Sequence, residues 1–372
     1  MIRELRYRID GLHSVIGNTL TIEQWADQAQ IPNRKKDGIL TGIEVSKILG
    51  IIGKSWDPAL FRDDAIISQV ARSALDSAAM TPDEIDAVIV VTCTPYEIML
   101  DQDSFRLLRE VGIPDHVVPI QLGAGCAGLA RAMGVAAQLD ARNLLIIAYN
   151  LPSLISVDET GGLVDQYRDN RSHPLSPILW TSPAIFSDAA AALVLRRTAE
   201  PMGISIYSRD SLRFGQSSGF TDPLIHYLGG GARKPLSVDD AASFAVYAMA
   251  GEQVKRYYTE GMMLNHHNLE SACPNYLSQV KRIYTHQASP ALIADFMQRA
   301  ELPPEKTPTN AARLGNLVTP CTMQLLHEDL LAGVVGPGDD VCFSVVGAGP
   351  ERGAFIMPLG AINRSVQPGR SG

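Results

Sequence analysis

A cysteine framed by glycines, Gly123-Ala-Gly-Cys-Ala-Gly128, follows the β-rich run 116–121 and opens an Ala/Leu-rich segment with the pattern of a buried helix. The glycines at 123, 125 and 128 permit a tight turn and close backbone approach. Cys126 then stands at a helix N-terminus, where free N–H groups and the positive end of the dipole favour a thiolate. Such a placement can bring a thiol pKa from about 8.5 into a range of about 3.5–7.5. Two readings compete: a small buried core cysteine, or a nucleophile, toward which the glycine frame leans. His286 closes the apolar run 279–286, at the strand end where α/β sheets present functional groups. Asn316 follows Gly315 just before a helix pattern. Each also has a plain reading, the histidine as a structural or surface residue and Gly-Asn as a turn. Brought together, the three could hold an acyl group on sulfur and offer two donors to a developing enolate.

Elements able to position them recur twice along the chain. A helix pattern at 64–75, a short helix begun by Thr81-Pro-Asp-Glu84 and the apolar strand 85–92 lead, through a helix near 103–112, to the Cys126 turn and its helix. The buried strand 143–148 follows, then a polar, proline-punctuated loop region at 151–180 and a turn feeding the strand 186–195. The second half repeats this plan, with a long helix at 237–261, a strand at 279–286, a helix at 290–300, the Gly315-Asn316 turn with a helix to about 332, and a strand at 337–346. Alternation of helix periods with buried strands argues α/β. The repetition argues an internal duplication, with halves at 1–200 and 201–372 whose equivalent turns meet near a pseudo-twofold axis.

Composition excludes several classes. A net charge of −8 gives no bulk case for nucleic acid or an anionic membrane. Five cysteines, odd in number and widely spaced, with no paired Cys/His spacing, support neither a disulfide framework nor a metal site. The N-terminus alternates charge without an apolar signal region, and no run approaches a membrane span, so a cytoplasmic protein is expected.

The runs Gly-Cys-Ala-Gly (125–128), His-Gln-Ala (286–288), Gly-Asn (315–316) and Gly-Ala-Gly (347–349) stand in the order of a thiolase-superfamily condensing enzyme. Over nearly its whole length the chain resembles the β-ketoacyl-acyl-carrier-protein synthase III branch, with further likeness at 81–92, 186–195 and 243–254. That resemblance implies a thiolase-like five-layer αβαβα fold built from two duplicated halves, usually a homodimer. It implies Cys126 as acyl acceptor, and His286 and Asn316 serving decarboxylative Claisen condensation. The loop of Gly347, Ala348 and Gly349 would supply an oxyanion hole. It implies acyl-coenzyme A or acyl-carrier-protein thioesters as substrates, with an acyl carrier protein as a candidate partner, and no bound metal or redox cofactor.

The chain departs from the family pattern at Ser289, where asparagine is common, and at Leu317-Val318, where hydroxyl residues are common. No arginine-rich coenzyme-binding run is evident, and Gly50-Ile-Ile-Gly-Lys54 stands in its place. These departures point away from the primer enzyme of ordinary fatty-acid synthesis and toward a specialised, polyketide-like relative. The alternatives are an acyltransferase passing the acyl group from Cys126 to an alcohol or amine with His286 as base, and a catalytically idle subunit of a heterodimeric synthase. The intact Cys/His/Asn set argues against the last.

Overall fold

The structure is a computed structural model that describes residues 2–33, 35, 37–98, 100–158, 160–164, 179–209, 224–227, 247–249 and 251–363. Much of the loop region expected at 151–180, and residues 237–246 and 250 of the helix expected at 237–261, lie outside the described residues; within that span Tyr247–Met249 is a strand instead, and the helix runs Gly251–Ala272.

Two five-stranded sheets form the frame. The first runs β2 (Tyr7–Ile16), β8 (Ala189–Arg197), β7 (Asn143–Asn150), β5 (Ala87–Thr92), β6 (Pro119–Gly123). The second runs β1 (Ile2–Leu5), β9 (Gly203–Arg209), β14 (Glu351–Pro358), β13 (Asp340–Gly347), β12 (Arg282–Thr285). β5 and β7 are parallel, as are β12 and β13, and each pair continues antiparallel into β8 or β14 and then β2 or β9. The two halves therefore share one strand order, differing in β6 at one edge and β1 at the other. β1, expected to belong with the first half, instead pairs with β9 in the second sheet. Two ribbons complete the strands among the described residues, β3 (Thr19–Thr21) with β4 (Gly53–Ser55), and β10 (Ile225–Tyr227) with β11 (Tyr247–Met249).

The apolar runs become layers because side chains alternate across a strand. Ile89 and Val91 of β5, with Leu144 and Ile146 of β7, face a middle layer containing the helices Gly128–Ala136 and Pro320–Leu331. Val88, Val90, Leu145 and Ile147 face the opposite way, onto the helices Ala65–Ser77 and Gln102–Val111. The second sheet packs outward on Gly251–Ala272 and Pro290–Arg299. The result is the thiolase-like αβαβα arrangement, with both functional turns delivered to the middle layer.

Two local expectations are corrected. His266 and His267, whose Asn-His-His-Asn run reads in the sequence as an exposed loop between helices, lie inside the 22-residue helix Gly251–Ala272. The short helix expected after Thr81 is a single 3₁₀ turn, Pro82–Glu84, held by a Thr81/Glu84 capping box. The region 20–60 contains two helices with complete capping boxes, Ile22–Ala29 and Gly42–Leu49, and the buried strand β4.

Candidate active site

β6 carries the chain to Gly123, and Cys126 sits in the turn that follows, one residue before the N-cap Ala127 of the helix Gly128–Ala136. Of the three framing glycines, only Gly128 is sterically required. A Cβ there would stand 2.5 Å from Val91 Cγ1 and 2.8 Å from Thr319 Oγ1, whereas one at Gly123 would meet nothing within 4 Å. Thr319 Oγ1 donates to Gly125 O at 2.6 Å, tying this turn to the second half.

His286 follows β12. Its N–H donates to Ser344 O at 2.9 Å, and its carbonyl accepts from Tyr258 Oη at 2.8 Å, so backbone contacts orient the ring from both sides. Neither ring nitrogen has a hydrogen-bond partner among the described residues, although both are buried. Gln287 points the other way, its Oε1 accepting the N–H groups of Asn310 at 3.0 Å and Ala311 at 3.2 Å, and so anchors the approach to Asn316.

Asn316 is held at every backbone group. Its N–H donates to Ile185 O at 2.9 Å, its carbonyl accepts from Ser187 N–H at 2.9 Å, and it bridges Phe186 in parallel. Its Oδ1 accepts from Val318 N–H at 2.8 Å, which leaves Nδ2 to lie 3.8 Å from Cys126 Sγ. Two backbone features permit this. Gly315 has φ +70°, and a Cβ there would come within 2.4 Å of Ser187 Oγ. Val318 holds φ +58°, a left-handed conformation costly for a β-branched residue. Val318 packs with Cys126 and Phe186 as an apolar wall.

Cys126, His286 and Asn316 line one cavity of about 460 Å³, with Phe186, Tyr258 and Leu292 among its walls and Lys47 and Lys255 among its polar lining. A second, smaller cavity of about 190 Å³ also reaches Cys126 and includes Arg131 and Glu351. Gly347 and Ala348 line both, and Gly349 only the smaller one. Ser289, which lines the larger cavity, also caps the helix Pro290–Arg299 by accepting Leu292 N–H. Glu97 is exposed and lines neither cavity, and Cys321 is buried against Leu314 and Leu317. Asp188 accepts the backbone N–H groups of the distant Asp57 at 2.7 Å and Ser153 at 3.0 Å.

The electrostatics correct one expectation. Burial pushes the Cys126 thiol well above its usual pKa, the nearby Cys321 and Cys93 add to this, and the Asn316 amide only partly opposes it. The helix start does not make a resting thiolate, because desolvation of the charged sulfur outweighs it. Burial likewise lowers His286 to about 4, opposed by the Asn316 side chain, which lies close to the ring without meeting it in hydrogen-bond geometry. At neutral pH the site holds a thiol beside a neutral imidazole. Phe186 and Tyr258 escaped sequence reasoning as site residues because apolar and ring residues at such spacing read as core.

Comparison with known proteins points to one group of synthases. The 3-oxoacyl-[acyl-carrier-protein (ACP)] synthase III C-terminal family matches residues 275–359. A β-ketoacyl-[acyl-carrier-protein] synthase III of Bacteroides thetaiotaomicron is 27% identical over 87% of this chain and 93% of its own. One from Phocaeicola vulgatus is 28% identical over the same shares. A crystal structure of 3-oxoacyl-(acyl-carrier-protein) synthase III superposes with a TM-score of 0.75 at 18% identity, covering 95% of this chain and 100% of that one. OleA from Xanthomonas campestris superposes with a TM-score of 0.75 at 15% identity, covering 96% and 99%. The chain has the thiolase-like fold, and in sequence it resembles β-ketoacyl-acyl-carrier-protein synthase III, a transferase.

Because burial raises the Cys126 thiol, its alkylation by iodoacetamide should be slow at pH 7 and climb through the alkaline range. A rate that has already reached its plateau below neutral pH, read by peptide mapping, would contradict this assignment.

Proposed function

We propose that Cys126 takes an acyl group as a thioester and joins it to a malonyl-type extender by decarboxylative Claisen condensation. The observation that carries this is the convergence on one cavity of Cys126 Sγ, Asn316 Nδ2 and the His286 ring, whose nitrogens have no hydrogen-bond partner among the described residues.

Loading is a thiol–thioester exchange. Sγ bonds to the acyl carbon, the donor's C–S bond breaks, and the cysteine's proton leaves with the donor thiol, so no resting thiolate is required. In the second step the bond between the extender's α-carbon and its carboxylate breaks and CO2 departs. The electron pair remains as an enolate, whose oxygen accepts from His286 in its Nε2–H form and from Asn316 Nδ2. The enolate carbon attacks the acyl carbonyl, and the resulting oxyanion is held by backbone N–H groups of the Cys126 turn and the Gly347–Gly349 loop. Collapse returns Cys126 as a thiolate, which regains a proton. No metal or redox cofactor enters the scheme. Acyl thioesters as substrates accord with OleA of Xanthomonas campestris, whose crystals hold lauric acid and lauroyl-CoA.

Acyl transfer to an alcohol or amine, with His286 as base, is supported less well. An imidazole whose pKa lies near 4 has little proton affinity, which suits a hydrogen-bond donor better than a base. The departures at Ser289, Leu317 and Val318 favour a specialised, polyketide-like role over the primer step of fatty-acid synthesis. Asn316→Ala should still load an acyl group on Cys126 while CO2 release from a malonyl-type thioester falls about 10²–10³-fold. If wild type loads but releases no CO2, whether the extender is on coenzyme A or carrier protein, the transferase reading replaces this one.

We further propose a homodimer built on the free edge of β6. That strand closes its sheet with partly exposed residues, and Val118 beside it is 74% exposed, an edge that invites pairing. Light scattering at micromolar concentration should give twice the chain mass, and a monomer would refute the assignment.

A further inference from the structure

Lys54 is fully buried, yet it lines neither cavity and the chemistry above does not use it. Its Nζ donates to the carbonyls of Pro183, Ala184 (3.2 Å) and Phe186 (2.9 Å). The same atom lies 4.1 Å from the ring centre of Trp56 and 4.8 Å from that of Trp25. Three carbonyl oxygens and two indole faces are the surroundings an ammonium requires. Burial draws the lysine's pKa down, and the buried Asp188 carboxylate opposes that shift.

What these contacts hold is the end of the helix Thr181–Ile185 and the turn after it. That turn supplies Ile185 O and Ser187 N–H, the two groups that fix the Asn316 backbone, and it places Phe186 in the cavity wall. β4 is tied to the same turn by Ser55, whose Oγ donates to Asp188 O at 2.6 Å and whose carbonyl accepts Asp188 N–H at 3.0 Å. On its other side the β4 region meets the residues just before Asn316. Ile52 N–H donates to Ala312 O at 2.8 Å, and a Cβ on Gly53 would stand 2.8 Å from Arg313 O. Lys54 thus sits where both supports of Asn316 converge, and its ammonium is engaged by the Pro183, Ala184 and Phe186 carbonyls.

We propose that Lys54 is a positioning residue for the reaction, gathering the carbonyls of Pro183, Ala184 and Phe186 so that the turn they belong to sets the Asn316 amide toward the cavity. This rests on the reading of Asn316 as a donor in the condensation step. It assigns a function to a lysine that a purely structural account would make a buried cap.

The test uses Lys54→Met, which keeps the stem and removes every donor, and Lys54→Gln, which keeps an N–H pair for the carbonyls. Acyl loading of Cys126 is read by intact-protein mass, and CO2 release is measured from a malonyl-type thioester. Loading should stay at the wild-type level while decarboxylation falls about 10²-fold in Lys54→Met, as expected for a displacement of about 1 Å, and less in Lys54→Gln. Adding Asn316→Ala to either variant should slow decarboxylation no further than Asn316→Ala alone, because the lysine acts through that amide. The proposal is overturned if loading falls in step with decarboxylation, if the double variants lose the product of the two single effects, or if decarboxylation is unchanged. It is also overturned if neither variant folds, since Lys54 would then serve the fold as a whole. A wild-type protein that loads but releases no CO2 defeats the condensation reading itself and is recognised before any variant is compared.

Discussion

The clasp between Asn316 and the turn at Ile185–Ser187 is the contact on which the site depends. Two backbone hydrogen bonds of 2.9 Å join a turn from the first half to one from the second. Without them, neither the Asn316 amide nor the Phe186 wall would have a fixed position relative to Cys126. Its geometry explains residues that otherwise look anomalous. Gly315 must be glycine because Ser187 and Ile185 occupy the space of a side chain. Val318 accepts a left-handed backbone because its N–H then meets Asn316 Oδ1 and turns Nδ2 toward sulfur. The strain is localised beside the nucleophile, where a conformation fixed by its surroundings serves orientation.

Burial sets the chemistry of that site as firmly as distance does. The same desolvation raises the thiol of Cys126 and lowers the imidazole of His286, so both rest neutral. A neutral pair suits a two-step reaction in which the first step is proton-neutral exchange and the second calls for N–H donors at a new oxyanion. It also explains why His286 can remain buried with neither ring nitrogen partnered among the described residues. An uncharged ring costs far less to bury than an imidazolium, and a substrate oxygen would give it the partner it lacks.

Much of this was legible in the sequence because strong local signals agreed with the fold. The continuous apolar runs at 85–92 and 143–148 became β5 and β7, and the helix pattern at 64–75 became Ala65–Ser77. Cys126, His286 and Asn316 could be singled out because each sits where a strand or turn meets a helix. The net electrostatic effect of burial at Cys126 was not legible, since a motif shows the helix start but not the depth of the pocket. Nor was β4 with Lys54. A three-residue strand between two capped helices has no periodicity to read, and a lysine after Ile-Ile-Gly looks like a surface charge until two tryptophans are found around it. The pairing of β1 with the second sheet was hidden because strand partners are chosen by tertiary packing, and residues 2–5 carry no mark of which sheet they join.

The central claim is that Cys126 is the atom on which the acyl group rides. Its most direct test is mass spectrometric peptide mapping after brief incubation of the intact protein with a panel of acyl-coenzyme A and acyl-carrier thioesters. The account predicts an adduct of acyl mass on the peptide carrying Cys126, removed by neutral hydroxylamine and absent from Cys126→Ala. An adduct on Cys93, Cys273, Cys321 or Cys342 instead, or one that persists in Cys126→Ala, would contradict it.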